Sequence, residues 1–341
     1  MGIVNAGFDV HRRQITFDAL DAESGEVKTG RIAATPEAVE HWVERFPGKE
    51  VHVALEAGTG WYFVVRALGR AGATPHLAEI AETRARRGSK RRAKTDRQDA
   101  RWLRTLLSEG RLPEAWIPPD DICWLRMFTR LRKMLIDEAT AWRQRLQATL
   151  FHFGLPTLPD GFEGDRALEW LERHELPQAA RYRIELCLRM IERAKLELRP
   201  LDAELGREAR RRPGCRALQE RHFGIGPVAA SVIVSELGDV SRLSRPRQAV
   251  RMAGLDVGVE RSDGGSKLGK LTKQGAPQLR WALYEAAQMA TRERSPDHPD
   301  YLRLRGRGLS HTRASLTIAR KLARRSYHTL CELGAEALSP A

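Results

Sequence analysis

Cysteine is scarce in this chain. The four present, Cys123, Cys187, Cys215 and Cys331, are scattered, with no Cys-x-x-Cys pair. That spacing argues against a zinc finger and against a disulfide framework, and it suits a reduced, cytoplasmic protein. Long apolar runs are also missing: the longest apolar stretches are interrupted by Arg or Glu, so no transmembrane helix and no membrane partner are expected. The opening MGIVNAGFDVHRR has neither the charged start nor the apolar stretch of a secretion signal. Gly2 lacks the following Ser or Thr of a myristoylation signal. Aromatic residues make up only 6%, which fits contact with a nucleic-acid backbone better than base stacking. Acids are outnumbered, 44 Asp and Glu against 58 Lys and Arg, for a net charge of +14. The resulting pI of 10.1 lies above the mark of about 9 that characterises nucleic-acid binders.

Hydrophobic residues supply 42% of the 341 positions, enough for a folded chain of two or three domains. Residues 3–10 and 13–20 are apolar runs split by His11-Arg12, and 25–33 is a weaker third strand. A helix is predicted over 36–46, with Thr35 as its cap and Pro36 at its first position. Strands at 51–56 and 73–78 flank a helix at 61–71, and 94–109 reads as another helix. This order, βββαβαβα, is an α/β pattern that fits an RNase H-like (RuvC-like) fold, although order alone leaves other folds open. Pro113, Pro118 and Pro119 punctuate its end. A long helix with a basic face follows at 120–150, then helices at 165–174 and 177–212, giving an α-helical, coiled-coil-like middle. The remainder reads as mostly α-helical: VAASVIVSELG after GIGP (224–227), 246–253, a Gly-rich stretch over 254–275, 276–292 and a basic tail. The expected domains are 1–112, 113–212, 213–295 and 296–341. No internal repeat or low-complexity tract is present.

The run Lys90-Arg91-Arg92-Ala93-Lys94-Thr95-Asp96-Arg97-Gln98-Asp99 places two acids inside a basic segment. On a helix, Asp96 and Asp99 share a face. Two acids aimed at one point repel unless a cation lies between them, and the surrounding bases suit a polyanion. A solvated helix of mixed charge is the plain alternative. Asp9 falls near the end of the first strand and Glu56 at the end of the VHVALE strand. In an RNase H-like sheet these strand ends converge at one edge, where the helix of Asp96 and Asp99 could close the set. Four carboxylates are suited to Mg²⁺, two ions in all, because hard cations take oxygen ligands. Singly, Asp9 also reads as a turn residue and Glu56 as an arginine's partner.

GFDVH, ALEAGTGWY and KTDRQDA together resemble the N-terminal domain of the DEDD-type insertion-sequence transposases, relatives of the Piv invertase. The resemblance implies a RuvC-like fold with Asp9, Glu56, Asp96 and Asp99 as its four-carboxylate metal site. FGIGPVAASVIVSELGD resembles a helix-hairpin-helix, in which Gly224 and Gly226 would offer backbone N–H groups to phosphate. GIGP taken alone reads more readily as an ordinary turn between packed helices. AGLDVGVERSDGGSKLGKLTKQGAPQLRWALYEAA is similar to the family's C-terminal transposase domain. There a serine ahead of a "TK-x-G" box is the nucleophile, and the match falls on Ser262, with Ser266 its nearest rival. The resemblance covers about 3–110 and 215–292. It implies a DNA strand-transfer enzyme that forms a covalent phosphoserine link, works as a homo-oligomer on donor and target double-stranded DNA, and is guided by a structured "bridge" RNA. Arg87, Lys90, Arg91, Arg92 and Lys94, with Lys267, Lys270 and Lys273, are then the expected nucleic-acid contacts. Two other readings stay open: a RuvC-like structure-specific nuclease that uses water, and a non-catalytic nucleic-acid-binding descendant.

Overall fold

The computed structural model describes residues 2–86, 95–158, 165–262 and 265–340. They form two compact units, 1–117 and 118–341.

Apolar runs buried on the sheet build the first unit. Its strands are β1 (Ile3–Val10), β2 (Gln14–Asp21), β3 (Val27–Ala33), β4 (Glu50–Glu56) and β5 (Thr74–Ala78). They lie in the order β3-β2-β1-β4-β5. The first three form an antiparallel meander, and β4 and β5 add in parallel beside β1. The helices are α1 (Pro36–Val43), α2 (Trp61–Arg70), α3 (Ile80–Arg86) and α4 (Asp96–Ser108). Thr35 caps α1, its Oγ1 accepting from the Ala38 N–H at 3.3 Å, and Pro36 takes the first helical position as predicted. Val4, Ala6 and Phe8 of β1 point to one face of the sheet and share a core with α1 and α2. Phe8 meets Trp42 edge-to-face at 4.7 Å between centroids.

The other face belongs to α4. Ala54, Ala78 and Leu103 form a small apolar cluster there, and Arg104 makes an ion pair with Asp18 of β2 at 2.5 Å, both side chains buried. What lets α4 approach is Gly7. A Cβ at that position would lie 2.0 Å from the Ala100 carbonyl oxygen and 2.6 Å from the Arg104 nitrogen, so the helix backbone rests directly on β1.

In the second unit, α5 (Asp120–His152) and α7 (Gln178–Arg211) run along one another, with α6 (Asp165–Glu172) near their far end. Leu146, Leu150, Ile184, Cys187 and Ile191 fill the seam. A larger core joins α8 (Pro213–Arg221), α9 (Pro227–Leu237), α10 (Pro246–Met252), α11 (Pro277–Gln288) and α13 (His311–Leu333), with α12 (His298–Gly306) packed on α13. Arg212, almost fully buried, ties the unit together: it pairs with Glu208 at 3.0 Å and Asp121 at 2.7 Å and donates to the Leu338 carbonyl.

Three elements differ from expectation. The Gly-rich stretch holds an antiparallel hairpin of β6 (Val257–Ser262) and β7 (Gly265–Leu271), in which Ser262 pairs with Gly265. Helix α3 follows Glu79, whose carbonyl accepts from the Thr83 N–H and hydroxyl. Helix α8 is too short to stand alone, and burial of Cys215 and Leu218 holds it. Among the described residues no helix is long and apolar enough to cross a membrane, and all four cysteines are free thiols.

Candidate functional site

The strand pairing brings two of the predicted acids to one edge. Phe8 of β1 is level with Leu55 of β4 in parallel register, so Asp9 and Glu56 each stand one residue further, at neighbouring strand ends. Residues alternate across a sheet. Because Phe8 and Leu55 face α1 and α2, Asp9 and Glu56 turn to the α4 face, as Gly7 and Ala54 do. The start of α4 lies on that same face. Thr95 caps it in an extended conformation, its Oγ1 accepting from the Gln98 N–H at 3.3 Å. Asp96 and Asp99 occupy the first turn, where the helix dipole favours negative charge. Arg97 anchors the helix start to β3 by donating to Thr29 Oγ1 at 3.1 Å.

Sequence reasoning passed over one member of this cluster. His11, read as a turn residue, places Nε2 3.0 Å from Asp9 Oδ2 and 3.5 Å from Asp96 Oδ1. Ligand atoms of Asp9, His11 and Asp96 all lie within 4.8 Å of one another. The signal was the spacing Asp-x-His at a strand end, which returns both side chains to one side.

Burial pushes the Asp9 carboxyl above its ordinary pKa; the nearby His11 opposes this, and the charges of Asp99 and Asp96 add to the rise. Folding therefore favours the protonated acid. That contribution is full below the unfolded-state pKa and is lost as pH rises through the higher folded-state value. Asp9→Asn is accordingly expected to be more stable than the parent at neutral pH without divalent ions, with the gap narrowing on acidification. Urea midpoints from pH 4 to 7.5 measure this, and an Asn variant weaker at every pH would contradict it.

In the second unit, the turn 222–226 joins α8 to α9. Gly224 has φ +91°, and a Cβ there would meet the Ala286 carbonyl at 2.5 Å, so packing alone demands glycine. Gly226 precedes α9 and faces open space. Ser262 closes β6, Ser266, Lys267 and Lys270 lie on β7, and Lys273 follows the hairpin. The side chains of Ser262, Ser266, Lys267 and Lys270 lie outside the described residues. Lys273 has φ +53°, the one non-glycine residue with positive φ among those described. Arg280 holds this segment by donating to the Ala253 carbonyl at 3.1 Å and to the Lys273 carbonyl at 3.4 Å. A strained, clamped conformation of this kind is a frequent mark of a functional loop. Arg87, Lys90, Arg91, Arg92 and Lys94 also fall outside the described residues.

Comparison with known families assigns both halves. A DEDD transposase model of the IS110 type matches residues 6–153. A model described as "Transposase IS116/IS110/IS902 family" matches residues 216–303. The chain belongs to the IS110/IS116 family of insertion-sequence transposases. The first match contains Asp9, Glu56, Asp96 and Asp99, and the second contains Gly224, Gly226, Ser262 and the three lysines. A Sinorhizobium fredii protein named "Putative transposase y4qE" is 28% identical over 293 residues, 82% of this chain and 70% of that protein. The "Insertion element IS116 uncharacterized 44.8 kDa protein" of Streptomyces clavuligerus is 37% identical over 103 residues, 29% of this chain and 25% of that one. A DNA-transposing enzyme of this family calls for DNA binding, and its DEDD type suggests a divalent metal.

Proposed function

We propose that this transposase cuts and rejoins DNA through Ser262, assisted by a divalent-metal site of Asp9, Glu56, Asp96 and Asp99 in an RNase H-like unit. The observation that carries the acid half is their convergence: two neighbouring strand ends and one helix start on a single face of the sheet. The strand order supports the RNase H-like reading. The donor set fits Mg²⁺, because carboxylate oxygens suit a hard ion, and the burial that raises the Asp9 pKa, with the Asp99 and Asp96 charges adding to it, is a cost that a bound cation offsets. When bound, Mg²⁺ (two ions for four acids) stabilises charge on the attacking and leaving oxygens of a phosphodiester.

The serine half rests on its place ahead of Thr272-Lys273-Gln274-Gly275. Ser262 Oγ attacks phosphorus, the Oγ–P bond forms and the P–O3′ bond breaks. The departing 3′-oxygen gains the proton that serine loses. A 5′-phosphoserine and a free 3′-OH result, and attack by the exchanged strand's 3′-OH reverses the step. The phosphodiester bond energy is kept, so no ATP is consumed. Lys267, Lys270, Lys273, the residues Arg87–Lys94 and the backbone at Gly224 and Gly226 hold phosphates. A structured RNA selects donor and target by base pairing, and the chain acts as a homo-oligomer.

Trapping tests this against water-driven nuclease chemistry. Incubation with supercoiled donor and target DNA, the structured bridge RNA and Mg²⁺, followed by denaturation, is expected to leave DNA covalently attached to protein at Ser262. Cleaved DNA with no attached protein would establish the nuclease reading instead.

A further inference from the structure

The four acids account for an oxygen-only site, but a side chain within 3.5 Å of two of them carries nitrogen. We propose, resting on the metal-site reading above, that His11 is itself a ligand of the divalent ion, through Nε2, and that it biases the site toward Mn²⁺ over Mg²⁺. Cis ligands about 2.1 Å from an octahedral ion lie roughly 3 Å apart. The separations of His11 Nε2 from Asp9 Oδ2 and Asp96 Oδ1, 3.0 and 3.5 Å, match that spacing. The three donors come from two elements, the end of β1 with its following turn and the start of α4, which the approach at Gly7 holds together. About half exposed, His11 is not there to fill a core. Imidazole nitrogen adds affinity for first-row transition ions, modestly even for Mn²⁺ at the weak end of their series, over Mg²⁺, whose preference is for oxygen.

The test uses the full-length, nucleic-acid-free protein loaded with Mn²⁺. Pulsed electron paramagnetic resonance is expected to show a directly bonded imidazole nitrogen, absent in His11→Ala. Calorimetry is expected to show Mn²⁺ affinity falling about tenfold or more in His11→Ala, with a smaller change for Mg²⁺. A wild-type spectrum without nitrogen coupling, coupling that persists in His11→Ala, or an unchanged ratio of Mn²⁺ to Mg²⁺ affinity would each overturn the inference. Asp9→Asn and Asp96→Asn separate it from the underlying reading. If both bind Mn²⁺ as the parent does, the carboxylate site falls and His11 with it. If both lose the ion while His11→Ala binds normally, only the role of His11 falls.

Discussion

Ser262→Ala is expected to lose strand exchange by on the order of 10⁴-fold or more, the scale of removing a nucleophile, while binding DNA with the parent's affinity. Ser266→Ala is expected to stay within a few-fold of the parent. Asp9→Ala and Asp99→Ala should join Ser262→Ala among the inactive variants for a different reason: they withdraw carboxylates from the set that converges on the α4 face. The measurements are a plasmid recombination assay and a filter-binding titration on the same preparations. Full recombination by Ser262→Ala would remove the serine assignment, and the reverse pattern, with Ser266→Ala dead, would move it four residues along. Activity in Asp9→Ala would break the acid half and leave the serine half standing.

Gly7→Ala is expected to be the most damaging single-carbon change in the first unit. The added Cβ meets backbone atoms of α4 at 2.0 and 2.6 Å, and neither a carbonyl nor an amide can rotate away as a side chain would. The helix must retreat, loosening the buried Arg104–Asp18 pair. Overpacking and a weakened buried ion pair together cost about 3 kcal/mol. Retreat also carries Asp96 and Asp99 away from Asp9, and misplacement by about 1 Å costs roughly 10²-fold in rate. Gly69→Ala is the control: it lies in α2 with open space around it, so stability should be unchanged or slightly improved. Denaturation midpoints of the two variants give the comparison. A Gly7→Ala protein as stable as the parent would show that α4 does not depend on this contact.

Much of the first unit was legible because local rules agree there. Apolar runs marked β1 and β2, an alternating stretch marked β4, and Thr35-Pro36 marked the start of α1 within a residue. Thr95, read inside the basic run, turned out to be the cap that starts α4 at Asp96. The acids were legible as strand-end and helix residues, since Asp9, Glu56 and the Asp96–Asp99 pair each sit where an element stops or starts. His11 and Gly7 were not, because their meaning depends on α4, which returns to β1 from nearly ninety residues away in sequence. The hairpin of β6 and β7 was missed for a local reason. Asp263-Gly264 is a good hairpin turn signal, but the flanks Glu260-Arg261-Ser262 and Gly265-Ser266-Lys267 are too polar to announce strands. Helix α8 hid behind Pro213-Gly214, which reads as a break until the surrounding core is known.

The tight seat at position 7 has a bearing on how copies of such an element are counted in genomes. On the proposed mechanism, intact acids would be taken as the sign of a working copy. Yet every replacement of Gly7 adds a β-carbon, and the place that carbon would take already holds the Ala100 carbonyl. One missense change there is expected to cripple the element while leaving Asp9, Glu56, Asp96 and Asp99 untouched. A census that scores only the acids would then overcount mobile copies, and position 7 would belong in the signature beside them.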